Sequence, residues 1–155
     1  MHLVMRSATL CCILLCSCLA PFVAGPPWRA MRTTITASDA PTAIGPYSQA
    51  VRYQGLLYCS GQLGFKPSTG EFVSNETAKQ AEQALRNLEA VCREAGTSLN
   101  KALRLTIYLI DLAEFQAVNQ VYATFFEAPF PARATVQVAA LPKGGRIEID
   151  AIVAL

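Results

Sequence analysis

The chain has 155 residues, 13 Lys and Arg against 11 Asp and Glu, a net charge of +2 and one histidine, His2. With no imidazole after the second position, Ser-His-Asp and Cys-His nucleophile systems, histidine metal sites and histidine-driven ribonuclease chemistry are excluded for the rest of the chain. From Met31 onward 11 basic residues (13 less Arg6 and Arg29) meet 11 acidic ones, so the clear basic excess of nucleic-acid binders is missing.

Residues 1–30 read as a cleavable targeting segment. Arg6 precedes an almost wholly apolar run, Ala8 to Ala20, and Val23-Ala24-Gly25 offers small residues suited to cleavage. The run is shorter than the roughly 20 apolar residues a membrane span needs. No acid occurs before Asp39, while Arg6, Arg29 and Arg32 do, a bias shared with organelle transit segments. A plastid or mitochondrial address is expected, with secretion as the alternative and a cytosolic form if synthesis starts at Met31. The remaining 31–155 is long enough for one domain with its own core and no membrane segment. Its two cysteines, Cys59 and Cys92, lack CxxC spacing and read as buried thiols, with no metal or other cofactor implied.

Thr33 to Thr36 suits a short strand. Ala40 to Ser48 is a turn-rich loop, and Ala50–Tyr53 with Leu56–Leu63 suits a hairpin across Gln54-Gly55. After a loop from Gly64 to Val73, Ser74 or Asn75 is placed to cap a helix that stops at Gly96. Its stripe of Ala81, Leu85, Leu88, Cys92 and Ala95 has the 3–4 spacing of one buried face. Ala102–Ile110 alternates as a strand. Asp111 and Glu114 suggest a capping box for a second helix, with Phe115, Val118, Tyr122 and Phe125 inward. Phe130 to Asp150 reads as two strands joined by a turn, a hairpin that would bring Arg133 close to Glu148. Glu148 lies between Ile147 and Ile149 and so points to the opposite face from both.

The order β-β-β-α-β-α-β-β predicts an α+β domain, a six-stranded mixed sheet with two helices on one face. Two helices cannot cover both faces of such a sheet, so the other is expected to pack against further copies of the chain. An arginine fork and a carboxylate at one pocket would suit an anionic small molecule and a water.

Four motifs in order, APxAIGPYSQAV at Ala40–Val51, SGQ at Ser60–Gln62, FPAR at Phe130–Arg133 and LPKGxRIEID at Leu141–Asp150, closely resemble the RidA family. These are the reactive enamine/imine deaminases, also known as translation-inhibitor or perchloric-acid-soluble proteins. The resemblance spans Thr33 to Val153. It implies a chorismate-mutase-like fold and a homotrimer whose sheets form a central barrel, with a site in each cleft between subunits. It further implies hydrolysis of 2-aminoacrylate and 2-aminocrotonate, released by PLP-dependent dehydratases, to 2-keto acids and ammonia without a cofactor. On this resemblance Arg133 binds the substrate carboxylate and Glu148 stands near the attacking water. Tyr47, a second catalytic candidate, lines the pocket with Ser60 and Gly61; Asn119, in the VNxxY stretch, is a further substrate-binding candidate. Thr135 stands where bacterial members often carry a cysteine, and Glu127–Pro129 is the short form of a loop longer in some members.

The residues suit that chemistry. An imino acid is already electrophilic and needs its carboxylate held, its nitrogen protonated and a water aimed at carbon. Two rival readings are a single-stranded endoribonuclease or translation inhibitor, which the net-zero charge and missing histidine oppose, and a silent small-ligand binder, for which the arginine alone would suffice.

Trp28, the only tryptophan, lies between Gly25 and Met31. Trimming to near Met31, or initiation there, is the expected outcome and leaves a mature protein with tyrosine emission only. Mass spectrometry of the native protein showing an N-terminus at Pro26 would instead identify a secreted or endomembrane form.

Overall fold

The β-branched and aliphatic alternation of the strand segments organises one six-stranded sheet in the computed structural model, which describes residues 31–155. Residues 1–30, read above as the leader, lie outside the described residues. The strands are β1 (Thr33–Ile35), β2 (Ala50–Tyr53), β3 (Leu56–Leu63), β4 (Ala102–Leu109), β5 (Ala132–Gln137) and β6 (Ile147–Ala154). The helices are α1 (Thr77–Glu94) and α2 (Phe115–Tyr122). Sheet order is β1-β2-β3-β6-β4-β5, antiparallel except for the parallel β4–β5 pair.

The β2–β3 hairpin forms as expected. Gln54 and Gly55 both take positive φ, 48° and 78°, as a tight hairpin turn requires. The final segment does not form a hairpin. Strand β5 pairs only with β4, and β6 lies between β3 and β4. The connection Val138–Arg146 is longer than hairpin loops of about 2–5 residues and carries the chain across the end of β4. The pull on β6 is hydrophobic: Ile147, Ile149, Ala151 and Val153 are all fully buried, which requires neighbours on both edges.

Helix α1 packs on β3 and β6, and α2 packs against α1, both on one face of the sheet. The predicted α1 stripe is buried, and Gly96 ends the helix with φ 75°. The predicted caps shift. Glu76 is the N-cap and makes no side-chain cap bond, while Ser74 Oγ accepts from the Glu76 N–H at 3.1 Å, a turn just ahead of the helix. Asp111 accepts from the Ala113 N–H at 2.9 Å, but it caps a 3-10 turn, Leu112–Glu114, from which α2 continues; Glu114 makes no cap bond. Cys59 and Cys92 are buried free thiols, as expected.

The opposite face carries no helix. Tyr58 and Val136 are each 42% exposed there, and Leu103 is 51% exposed beside a register shift between β4 and β6.

Three buried amides tie loops to this frame. Asn87, 1% exposed, donates from Nδ2 to the carbonyls of Leu63 and Phe65, each at 3.0 Å, and accepts from Gln83 at 2.9 Å. Truncation to Ala leaves those carbonyls buried without a donor. Asn87→Ala is therefore expected to lower the unfolding free energy by about 1–3 kcal/mol in urea titration; a loss within experimental error would show that the loop is not hung from α1.

Candidate active site

A bulge places the first group of candidate residues. The β3–β6 register shifts between Cys59 and Gln62, so Ser60 and Gly61 leave the ladder where Glu148 projects. A Cβ on Gly61 would fall 1.9 Å from Glu148 Oε1 and 2.7 Å from its Cδ. Only glycine lets this carboxylate lie over the β3 backbone. Glu148 is half-buried on the helix-free face, level with Tyr108 of β4 and one alternate position from Asp150. Burial first, and the Asp150 charge second, push its pKa above the usual carboxylate value. Asp150 in turn accepts from the Tyr108 hydroxyl at 2.8 Å.

Ser60 faces the motif loop before β2. Its hydroxyl donates to the Ser48 carbonyl at 2.7 Å and its N–H to the Gln49 carbonyl at 3.0 Å. Tyr47 is exposed at the tip of that loop, where its own N–H bonds Gly45 O at 2.8 Å. Gln49, which sequence reasoning did not single out, fixes the loop. Its Oε1 accepts from Ala37 N–H at 2.6 Å and its Nε2 donates to Pro41 O at 2.7 Å. The signal was a glutamine directly ahead of a strand, inside a loop too irregular to satisfy its own backbone. Tyr47, Gln49 and Gly61 open on a cavity of about 730 Å³.

Arg133 and Asn119 lie elsewhere. Arg133 pairs in register with Leu105, which pairs with Ala151, so it shares the helix-covered face with these buried residues. Its guanidinium stacks 4.6 Å from the Tyr122 ring centroid and 5.7 Å from that of Phe115. With Asn119, Phe130 and Pro131 it borders a second, smaller cavity of about 450 Å³. The buried hydroxyls of Tyr122 and Thr135 have no hydrogen-bond partner among the described residues. Two strand spacings and three residues along β6 separate Arg133 from Glu148, roughly 14 Å between backbones, and they lie on opposite faces. One chain therefore sets Glu148 against Gly61, with Ser60 next to Gly61 and Tyr47 on the cavity that Gly61 lines, and it brings Arg133 and Asn119 to one cavity, but it does not join the two groups. Among the described residues no cluster of three His, Cys, Asp or Glu side chains could hold a metal ion.

The raised Glu148 pKa has a definite consequence for stability. A carboxyl that holds its proton more tightly when folded favours the folded state at low pH, and that contribution is lost as pH rises from the unfolded towards the folded pKa. Glu148→Gln removes the unfavourable charge. In urea it should unfold at the same midpoint as the parent at about pH 4 and at a higher one at about pH 8; a lower midpoint at the higher pH would mean that a cation already stabilises the carboxylate.

The endoribonuclease L-PSP family profile matches residues 37–155. The human 2-iminobutanoate/2-iminopropanoate deaminase is 47% identical over 122 residues, 79% of this chain and 89% of that protein. The Arabidopsis thaliana protein named Reactive Intermediate Deaminase A, chloroplastic, is 44% identical over 80% of this chain and 66% of its own length. Among solved structures, RidA from an Antarctic Psychrobacter superposes with a TM-score of 0.77 at 46% identity, over 79% of this chain and 99% of that one. A profile match across nearly the whole described sheet, together with relatives well above 30% identity, places the fold and the motifs in one lineage: the chain belongs to the RidA, or endoribonuclease L-PSP, family.

Proposed function

We propose that this protein is a hydrolytic deaminase that converts reactive enamine and imine intermediates, 2-aminoacrylate and 2-aminocrotonate among them, to 2-keto acids and ammonia. The observation that carries the reading is Glu148, a half-buried carboxyl with a raised pKa laid over the bare backbone of Gly61. Relatives near 47% identity bear the name of this activity.

The working site is completed by a second copy of the chain. Arg133 lies too far from Glu148, and on the wrong face, to share a substrate with it in one chain. A homotrimer with helix-free faces packed together brings the Arg133 and Asn119 group of one subunit to the Glu148 group of the next. The exposed Tyr58, Val136 and Leu103 support that packing.

In such a site Arg133 holds the substrate carboxylate through its fork, with the Tyr122 and Phe115 rings supporting the planar guanidinium. Asn119 borders the same anchor. An enamine becomes the imine by taking a proton at C3. Protonated Glu148 gives a proton to the imine nitrogen, which raises the electrophilicity of C2. The resulting carboxylate takes a proton from water as the oxygen bonds to C2 and passes it to nitrogen; as the C–N bond breaks it takes the remaining hydroxyl proton, which leaves the C2 carbonyl and restores protonated Glu148. One water is consumed, and the 2-keto acid and ammonia leave. Tyr47 orients the substrate at the mouth, and Ser60 and Gly61 supply close backbone contact. No cofactor enters these steps.

PLP-dependent dehydratases are the proposed source of substrate, and residues 1–30 the leader that takes the 31–155 domain to an organelle. The relative named chloroplastic supports that address. Ribonuclease activity is the less favoured reading, since residues 31–155 carry no net charge and no histidine.

Arg133→Ala and Glu148→Gln test both the chemistry and the shared site. Each homotrimer should lose two or more orders of magnitude in kcat/KM, from charge-assisted bonds worth about 1.5–3 kcal/mol each. Arg133→Lys should fail similarly, since an ammonium offers no fork. Unfolded together and refolded as mixed trimers, the Ala and Gln variants should regain activity, because some sites then pair an intact Arg133 with an intact Glu148. Full activity in either single variant sinks the assignment of that residue; mixed trimers that stay inactive sink the shared site.

A further inference from the structure

The helix-free face beside Glu148 carries a second acid that the hydrolytic steps do not use. Glu148 and Asp150 alternate on β6, so their side chains leave the same face with backbones about 7 Å apart. Both are part-buried, and neither is in an ion pair among the described residues. Two carboxyls so placed do not ionise independently. The last proton they hold belongs to the pair, and its place depends on what else each carboxyl touches.

What each touches differs. Tyr108 of β4 stands in register with Glu148, yet its hydroxyl reaches diagonally and donates to Asp150 Oδ2 at 2.8 Å. A donor on an ionised carboxylate makes a charge-assisted bond, roughly twice as strong as one between neutral groups. The Glu148 carboxyl makes no such bond among the described residues and lies over Gly61 instead. The negative charge of the pair is therefore held on Asp150. The proton is left on Glu148, where burial and the neighbouring charge both favour it. The Asp150 bond, with burial second, pushes the Tyr108 pKa above its usual value, so this hydroxyl stays a donor.

The rest of the face supports the same division. Strand β5 sets Ala134 and Val136 level with Thr106 and Tyr108, and none of the four is charged at neutral pH. Tyr58 of β3 and Arg104 of β4 are both level with Ile152, beyond Asp150 from Glu148, so the guanidinium too lies nearer to Asp150. Across the cavity that Gly61 lines stand Tyr47, Glu71 and Lys143, the last two of opposite sign. In the assembly proposed above, Arg133 of the next subunit faces Glu148 with its charge engaged by the substrate carboxylate.

We propose that Tyr108 and Asp150 are positioning residues for the reaction: Tyr108 holds the negative charge of the carboxyl pair on Asp150, and Asp150 keeps Glu148 protonated for delivery to the imine nitrogen. The inference rests on the deaminase reading and adds two residues to it. Neither touches the substrate; together they decide which carboxyl is the acid.

The test joins kcat/KM profiles against pH to carbon-13 titration of the side-chain carboxyls in the folded full chain. Glu148→Gln and Asp150→Asn assign the two signals by their loss. The four-carbon imine is made in place from 2-aminobutyrate by an amino-acid oxidase with catalase, and semicarbazide traps what escapes. Parent and variant run in the same mixtures, so the pH dependence of supply and trap cancels. In the parent the upper titration step should move the Glu148 signal and leave that of Asp150 still. Asp150→Asn removes the neighbouring charge, so Glu148 should lose its proton at lower pH. Its kcat/KM should converge with the parent at acid pH and fall about tenfold below it at about pH 8. Tyr108→Phe keeps both acids but frees the proton to settle on either. Both signals should then move in one step, and kcat/KM should drop about twofold within that step and match the parent at alkaline pH. In the Asp150→Asn background, Tyr108→Phe should change neither profile nor titration. Losses that are equal at every pH with the Glu148 titration unmoved, or an upper step in the parent that moves both signals alike, overturn the proposal and leave the deaminase reading standing. No hydrolysis by the parent at any pH overturns the deaminase reading, and the proposal with it, whatever the titrations show.

Discussion

Strand β6 meets two demands on alternate residues, and the rest of the molecule is arranged around that division. Ile147, Ile149, Ala151 and Val153 close the core beneath α1, so the strand must lie inside the sheet with a partner on each edge. The residues between them, Glu148, Asp150 and Ile152, are thereby committed to the face that carries no helix. A slip of one residue would bury both carboxylates among leucines and expose four core side chains. The hydrophobic demand thus fixes where the acid can be. The Ser60–Gly61 bulge on β3 then makes room for it, and Gly61 lets the carboxyl lie against backbone in surroundings dry enough to raise its pKa.

The same division explains why the candidate residues form two groups. Strand β5 is tied to β4 in parallel, and its register sets Arg133 level with Leu105, under α2. Stacking on Tyr122 and Phe115 gives the guanidinium a flat apolar support without neutralising it, so its hydrogen-bonding edge stays free for an anion. An electrophile held at that edge is out of reach of the same chain's Glu148. On the proposed function, assembly is part of the chemistry: the surface that needs covering and the site that needs completing call for the same second subunit.

Between these rigid parts, loops are positioned by buried amides rather than by apolar packing alone. Gln49 ties the Tyr47 loop to residues 37–41. Gln80 joins Ser74 O to the Arg146 N–H, at 2.8 and 2.9 Å, and so links the start of α1 to the turn before β6. Asn87 holds the strand exit that carries Phe65. Each amide both donates and accepts, so each can satisfy irregular backbone that no strand or helix would pair, and a misplaced loop would leave it unpaired at a cost of about 1–3 kcal/mol. The cavity walls are thus specified by polar contacts.

Local periodicity determined a good deal of this protein. The alternation in Leu56–Leu63 and Ala102–Leu109, the turn at Gln54-Gly55, the 3–4 spacing from Ala81 to Ala95 and the stop at Gly96 were legible because each depends on neighbours within a few residues. So was the outward direction of Glu148, which follows from its apolar flanks, and the motif set that marks the lineage. Strand order was not legible. Two adjacent strand segments after α2 read as a hairpin, yet β6 enters between β3 and β4, because what decides its place is the burial of its inner face by strands from far back in the chain. The caps moved by a residue or two for a related reason, since bonds such as Gln80 to Ser74 set the helix entry through tertiary contacts. Residue types and their local facing belong to the sequence. Which of them meet, on which face, and with how much water, belongs to the tertiary structure, because pairing and burial are properties of distant segments brought together.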